Sequence, residues 1–234
     1  MRRNFLLIFA LIVILHISLA LAVEPFGATI NPGTSQRANA SNPGTDVNAI
    51  AGNVTELNVF GYTTTQSWQG YYGNVTGVIR LADISDNVLY NWSLTTPEGE
   101  IYASNASTVR WSTIQCYDAT NNLTFFENMF GIGATDDDGI DVTFALNNHA
   151  EFYTNSVQFT AGECDNAKIF DSAGIGVFDE ALLTDGKNMV FASLLADNAN
   201  GFDNVPHDFE MLVLEDGHGT DVATSTYYFW VELE

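Results

Sequence analysis

Three acidic segments that contain glycine hold the residues of this 234-residue chain best suited to chemistry, at residues 136–141, 197–203 and 215–221. Carboxylate and amide oxygens around a glycine that permits a sharp turn are the ligands that Ca²⁺ takes in proteins. The predicted ligands fall into two groups at opposite ends of one strand: Asp171, Asp197 and Asp203, and Asp185, Asp216 and Asp221. None of the segments has the EF-hand pattern. The alternative to calcium binding is that Asp, Asn and Gly form turns here. No other cofactor is required.

Asparagine acceptors for N-linked glycans are a second chemical signal. Six Asn-x-Ser/Thr motifs occur, and all lie in the first half of the chain, at Asn39, Asn53, Asn74, Asn91, Asn105 and Asn122. Such motifs are glycosylated on surfaces of exported proteins. The pattern predicts that one flank of an extracellular protein carries sugar, with chance in an Asn-rich sequence as the alternative.

The two cysteines, Cys116 and Cys164, are 48 residues apart and have no Cys-x-x-Cys spacing. An even pair in an exported chain indicates a disulfide. Closing a loop of this length stabilises a fold by about 4 kcal/mol in the chain-entropy model. A metal site with His149, His207 or His218 is the alternative, although no spacing matches a zinc motif.

The N-terminus has the organisation of an export signal. Two arginines precede an apolar run, and Ala20 and Ala22 supply the small residues of a cleavage site. We therefore expect residues 1–22 to be a signal peptide and the mature protein to be secreted, without membrane contact after cleavage. Retention of the apolar run as an anchor is the alternative. Residues 23–50, rich in Pro, Gly and Asn, are expected to form an extended leader before a single domain at 51–234.

Charge and motif content exclude several functional classes. The formal net charge of −22 repels phosphate backbones, so no nucleic-acid partner is expected. A glycosidase needs two carboxyl groups at a defined distance. The candidate glutamates are Glu98, Glu100, Glu210 and Glu215, and nothing in the sequence determines the distance between any two of them. His207 and His218 have no serine in a nucleophile elbow. The sequence therefore predicts a protein that is not an enzyme.

The hydrophobic periodicity of the sequence predicts strands that carry the candidate residues. From residue 53 onward the period is two, with short polar turns, which predicts an all-β, antiparallel β-sandwich of jelly-roll type with about ten strands and one short helix. The helix is expected to begin near Thr124 and to end at Gly131. Strands are expected near 69–81, 88–94, 142–146 and 156–160. The last four, at 175–184, 188–196, 207–214 and 222–233, are expected to form an antiparallel meander.

Strand alternation also assigns faces to the aromatic and glycosylated residues. It places Tyr71 and Trp92 on inward faces, and it places Asn74 and Asn91 opposite them, where a glycan can project into water. Exposed aromatic rings stack on sugar faces in carbohydrate-binding sandwiches. The rings available for this role are Trp68, Tyr71, Tyr72, Trp92, Trp111, Tyr228 and Trp230.

Three blocks of sequence, in this order, carry a resemblance: residues 66–77 (QSWQGYYGNVTG), 97–104 (PEGEIYAS), and 215–221 (EDGHGTD) followed by Tyr227, Tyr228 and Phe229. Together they resemble a family of secreted archaeal cell-surface proteins that has no settled biochemical role, over residues 34–234. The resemblance implies an envelope location and N-glycosylation, and it transfers no active-site residue.

These observations predict a secreted, N-glycosylated structural or adhesive protein of the archaeal cell surface, such as a subunit of a surface layer or filament. Its expected partners are further copies of itself or other cell-surface proteins. Exposed sheet edges and the proline-broken leader would permit strand donation between subunits. The alternative function is a carbohydrate-binding module that recognises glycans, assisted by calcium.

Overall fold

A computed structural model describes residues 24–38, 43–117, 123–133, 135–216 and 224–234. The predicted signal peptide, the sequons at Asn39 and Asn122, and Asp221 lie outside the described residues. Within them the chain forms fifteen strands, of which nine have five or more residues, and two short α-helices. All strand pairs are antiparallel. The prediction of an all-β, antiparallel, sandwich-like fold is therefore confirmed.

The main sheet has seven strands, in the order β1-β15-β5-β11-β10, with β6 and β9 both paired to β10. Their bounds are β1 Phe26–Gly27, β5 Gly99–Ser104, β6 Gln115–Cys116, β9 Asn166–Phe170, β10 Gly176–Thr184, β11 Met189–Leu194 and β15 Tyr228–Leu233. The sequence of β11 is apolar on both faces apart from Ser193, which predicts a central strand. The structure confirms it, because β11 lies between β5 and β10.

Smaller antiparallel pairs surround this sheet. They are β2 (Trp68–Gly73) with β14 (Phe209–Leu214), β3 (Val78–Ala82) with β4 (Val88–Ser93), β7 (Phe152–Thr154) with β8 (Val157–Phe159), and β12 (Ala199–Asn200) with β13 (Pro206–His207). The pair β2–β14 forms a second layer. Its Trp68, Met211 and Val213 pack with Phe191 of the main sheet, and the Trp68 and Phe191 rings are 6.4 Å apart, edge to face.

Two apolar clusters form the core, one on each face of the main sheet. Alternation along β11 explains the division: Phe191 belongs to the cluster under β2–β14, whereas Val190 belongs to the opposite cluster, with Tyr102 and Trp111. The β7–β8 hairpin covers this second cluster with Phe152 and Phe159, whose rings stack at 4.8 Å. Because both faces are covered, the strands of the sheet can be apolar on both sides.

The helical content differs from the prediction of one helix. The expected helix is present as α1, Leu123–Met129, followed by Gly131 at φ 68°. A second helix, α2, spans Ile140–Thr143, where the sequence predicted a strand at 142–146. Ile140 and Phe144 are both buried, and the Phe144 N–H donates to the Ile140 carbonyl. Their spacing of four residues is helical, so the strand prediction is wrong.

The predicted four-strand meander is also wrong beyond its first hairpin. Strands β10 and β11 pair as expected, but β14 leaves the main sheet to pair with β2, and β15 returns to pair with β5. Short loops predict adjacency only when consecutive strands stay in one sheet. Within the leader, β1 pairs with β15 through Phe26↔Val231, so the leader contributes a strand to the main sheet.

Candidate functional site

Most of the predicted calcium ligands form hydrogen bonds within their own turns. Asp171 accepts from the Ala173 and Ile175 N–H groups, and Asp203 accepts from the Val205 N–H. The turn at Asp171 does lie beside the loop at 197–204, because Ser172 hydroxyl contacts the side chains of Asn200 (3.1 Å) and Asn204 (3.2 Å). The Asp197 side chain contacts the Asn198 amide at 3.0 Å.

The second predicted group divides between two places. Asp185 is buried and accepts backbone hydrogen bonds from Arg110, Lys187 and Asn188. Burial acts to raise the pKa of Asp185, but these bonds outweigh it and hold the pKa below its usual range. Asp216 instead lines a cavity of about 550 Å³ with Asp136, Asp137 and Asp138. Across the described ranges, no three His, Cys, Asp or Glu side chains form a group that could hold a metal ion.

The two cysteines form the expected disulfide. Cys116 lies in β6 and Cys164 lies just before β9, with a Cα–Cα distance of 5.0 Å. Cys164 is fully buried, and its N–H donates to His149 Nε2 at 2.9 Å. The disulfide links β6 to the segment before β9, and both of these strands pair with the same edge of β10. His149 accepts a hydrogen bond from this segment and so helps to position it.

Asparagine acceptors are exposed wherever the structure describes them. These acceptors are Asn53, Asn74, Asn91 and Asn105. Asn91 lies on β4 opposite Arg80, on one face of the β3–β4 hairpin. The opposite face of that hairpin is the apolar one, as strand alternation predicted.

The apolar face of the β3–β4 hairpin, which we call the hairpin face, consists of Ile79, Leu81, Tyr90 and Trp92. Ile79 is directly opposite Trp92, Leu81 is directly opposite Tyr90, and the two aromatic rings are 4.9 Å apart. These four side chains are 45–59% exposed. The assignment of Trp92 to an inward face is therefore wrong, and Tyr71, at 37% exposure, is only partly covered. Alternation correctly predicted which residues share a face, but not whether that face is covered.

The hairpin is well formed despite its exposure. At its tip, Asp83 Oδ1 accepts hydrogen bonds from the Ser85 and Asn87 N–H groups, and the Asn87 side chain bonds the second carboxylate oxygen. The bonds from Asn87 are the main reason that the pKa of Asp83 lies below its usual value. At its base, the Leu94 N–H donates to the Gly77 carbonyl, and a Cβ at Gly77 would lie 2.2 Å from Leu233. The base thus packs closely on the main sheet.

A second exposed apolar element precedes β2. Residues 53–64, which we call the arm, form no strand or helix. Val54, Val59 and Phe60 in this segment are 88–100% exposed, and Leu57 is 59% exposed. Directly after the arm, the Thr65 hydroxyl donates to the Asp138 carboxylate, and the Trp68 indole N–H donates to the Asp138 carbonyl at 2.7 Å. The loop at 136–138 thus fixes the point from which the arm departs.

A small aromatic cluster includes Tyr72, near the C-terminal end of β2. Tyr72 and Phe202 are about half exposed, and their rings are 4.9 Å apart. The buried ring of His207 lies 4.8 Å from Tyr72, and its Nε2 contacts Asp203 at 3.0 Å. Asn200 and Asn204 lie in the same loop. Sequence analysis included Tyr72 among seven aromatics, but it could not find Phe202, because only the folded loop brings the two rings together.

Sequence analysis did not predict a carboxyl pair in the main sheet that joins buried Glu100 to partly buried Glu232. Glu100 and Glu232 are directly opposite each other on β5 and β15, and the Tyr102 hydroxyl contacts both, at 3.4 and 3.2 Å. Burial, followed by the charges of Glu232 and Glu234, raises the pKa of Glu100 to about 9. Burial also raises the pKa of Glu232 and that of Tyr102. Glu100 therefore pairs with a residue that the sequence did not suggest, and with a pKa of about 9 Glu100 is protonated at neutral pH.

Comparison with known proteins gives no relative. No family model, no curated protein sequence and no solved structure matches the chain. Among the described residues, no helix is both long and apolar enough to span a bilayer. The function must therefore be inferred from the geometry described above.

Proposed function

We propose that the protein is a secreted, N-glycosylated structural or adhesive subunit of the archaeal cell surface, which assembles with other surface proteins through its N-terminal region. The observation that carries this proposal is the hairpin: it exposes four large apolar side chains on one face and a sequon asparagine on the other. Exposed apolar patches with polar surroundings mark interaction sites. A glycan on Asn91 would leave the hairpin face free for a partner.

The test is immunogold electron microscopy of native cells, combined with glycopeptide mass spectrometry of the purified protein. We expect label in ordered arrays or filaments, and sugar on Asn53, Asn74, Asn91 and Asn105. Label inside the cells, or unmodified asparagines at all four positions, would contradict the proposal. Dispersed label on the cell exterior, from a protein that is monomeric, would contradict the proposed structural role but not the extracellular location.

We propose glycan binding as a second candidate function, because the cluster of Tyr72 and Phe202 combines half-exposed rings with the amides of Asn200 and Asn204. Ring faces stack on sugars and amides bind hydroxyl groups. A glycan array with the wild type, Tyr72→Ala and Tyr90→Ala tests this function. We expect loss of signal in Tyr72→Ala and retention in Tyr90→Ala, a matched tyrosine on the hairpin face. No signal with the wild type would exclude a lectin role.

A further inference from the structure

Resting on the proposed function, we propose that the partner is a second copy of this chain: the arm of one copy adds as a β-strand to an open edge of the β3–β4 hairpin in the next. The arm is the donor and the hairpin is the acceptor. Each copy has both, so each can donate to one neighbour and accept from another. Four observations carry the proposal.

The arm has the composition of a strand without the structure of one. Seven of the eleven residues from 54 to 64 are β-branched or aromatic, the types that favour strands. The arm nevertheless forms no ladder in the described chain, and its apolar side chains reach 100% exposure at Val54. Local preference and structure conflict here, and pairing with another strand would resolve that conflict.

The hairpin is an incomplete sheet. It pairs only β3 with β4, so within the described part of the chain neither outer edge has a strand partner. A two-stranded hairpin is marginally stable alone in water, and a third strand or a packed face is what stabilises it. Exposed edges with unpaired N–H and C=O groups are templates for strand addition from another chain.

Donation and acceptance of arms bury more apolar area of each copy than contact between two hairpin faces does, because both elements are then covered. A specific interface buries about 800 Å² on each partner. Since a fully buried aromatic side chain contributes about 150–250 Å², the four half-exposed side chains of the hairpin face supply roughly 400 Å². The exposed Val54, Leu57, Val59 and Phe60 of the arm supply a similar area. A copy that both donates and accepts therefore buries roughly 800 Å² of apolar side chain in two contacts, each about half of the standard size, and the ladder bonds of the added strand contribute to both contacts.

The charge of the two elements is compatible with this contact. The chain has a formal net charge of −22, yet the arm contains only Glu56 as a charged residue, and the hairpin contains Asp83 and an ion pair of Arg80 with Asp86 at 2.8 Å. The contact thus joins two surfaces of low charge on a strongly acidic protein, and salt that screens the remaining repulsion should promote it. Because donation from each copy to the next is a head-to-tail contact, it produces open filaments when the rotation does not close.

The first experiment measures assembly of the full mature protein by analytical ultracentrifugation and negative-stain electron microscopy, with Val59→Pro and Val47→Pro compared with the wild type. Proline removes a ladder donor and is disfavoured in a paired strand. Both valines are exposed and lie outside strands, at 88% and 65% exposure, so neither change should affect the monomer fold. We expect at least a tenfold loss of assembled protein for Val59→Pro and wild-type assembly for Val47→Pro.

The second experiment identifies the contact. Val59→Cys and Leu81→Cys are made as separate variants, mixed under oxidising conditions and analysed on non-reducing gels. We expect a crosslinked dimer between the two variants, and none when Val59→Cys is mixed with Phe170→Cys, an exposed residue of the main sheet. A crosslink in the mixture can form only between copies, so it excludes pairing of the arm with its own hairpin.

The outcomes separate this inference from the proposed function. If the wild type assembles, and Val59→Pro assembles equally well without the specific crosslink, the arm is not the donor and the inference is wrong, while the structural role stands. If the purified wild type stays monomeric at high salt and its label on cells is dispersed, the structural role and the inference both fail. If surface assembly requires a different protein instead of a second copy, mixtures of purified copies give no crosslink, and the inference is overturned.

Discussion

The molecule divides into two regions that use apolar residues in opposite ways. From Gly99 onward, apolar side chains fill two clusters on both faces of the main sheet. Before Gly99, the only buried residues in the described chain are Pro25 and Pro97, although the arm and the hairpin are rich in valine, isoleucine, leucine and aromatics. In this first region β1 and β2 pair with later strands and Trp68 packs on the core, whereas the arm and the hairpin face stay exposed in the monomer. Three of the four described sequon asparagines, Asn53, Asn74 and Asn91, lie in the first region, and Asn105 lies in the second.

The largest expected difference between the regions is the cost of removing an aromatic ring. Phe191→Ala should lower the free energy of unfolding by about 3–5 kcal/mol, because the ring is buried and packs with Trp68, Phe144 and Tyr227. Phe60→Ala should change it by less than about 0.5 kcal/mol, because this ring is 90% exposed. Urea unfolding of the monomer measures both. Equal effects would mean that the arm is packed in the monomer.

The next prediction compares two turns with the same chemistry. Asp185→Ala removes a buried carboxylate and leaves the N–H groups of Arg110, Lys187 and Asn188 without their acceptor, which should cost about 2–3 kcal/mol. Asp83→Ala removes the same type of turn bonds at the hairpin tip, where water replaces the acceptor, so the loss should be much smaller. Thermal unfolding of both variants tests the comparison. A larger loss for Asp83→Ala would contradict it.

A third prediction concerns pH. Burial raises the pKa of Glu100 to about 9 in the folded protein, above its ordinary value near 4.3 in the unfolded chain. The folded state therefore binds the extra proton, so this stabilisation is fully present below about pH 4.3 and is lost as pH rises through about 9. In Glu100→Gln the free energy of unfolding should fall less as pH rises, because the amide does not ionise. At pH 8 this variant should be more stable than the wild type by on the order of 2 kcal/mol.

The matched control for this pH prediction is Glu56→Gln in the exposed arm. Unfolding free energies are measured for both variants and the wild type from pH 5 to pH 9. We expect the arm variant to follow the wild type throughout. If Glu100→Gln shows the same slope as the wild type, burial of Glu100 does not control the pH dependence.

The smallest expected effect is the loss of a single glycan. Asn91→Gln should remove one sugar chain and change monomer stability by less than about 0.5 kcal/mol, because Asn91 is exposed. Intact-mass spectrometry and thermal unfolding provide the two readings. An unmodified Asn91 in the native protein would contradict the prediction that the hairpin carries a glycan. A large destabilisation would show that the sugar supports the fold of the hairpin.

Sequence reasoning succeeded where a local pattern determines the outcome. Alternation predicted the all-β class and the shared face of Ile79 and Leu81, and the two apolar faces of β11 predicted its central position. The two cysteines predicted their disulfide correctly. Prediction from the sequence failed where the structure depends on contacts between distant parts of the chain. Whether Trp92 is covered depends on which elements pack against β4, and the pairing of β14 with β2 joins strands more than a hundred residues apart.

The candidate site was predictable only in part, for the same reason. The composition of the arm and the sequon on β4 are visible in the sequence, but their exposure is not. The pairing of Glu100 with Glu232 requires the register between β5 and β15, which no local signal specifies. The aromatic cluster of Tyr72 and Phe202 likewise depends on a loop that folds against β2.

The most direct test of the central claim is hydrogen exchange followed by mass spectrometry, on the monomer and on the assembled form of the same mature protein. In the monomer, we expect amides 53–64 to exchange without protection and those of β10 and β11 to be strongly protected. On assembly, protection should appear in the arm and increase in the β3–β4 hairpin, with little change from Gly99 onward. Protection that appears only in the main sheet, or an arm already protected in the monomer, would contradict the account.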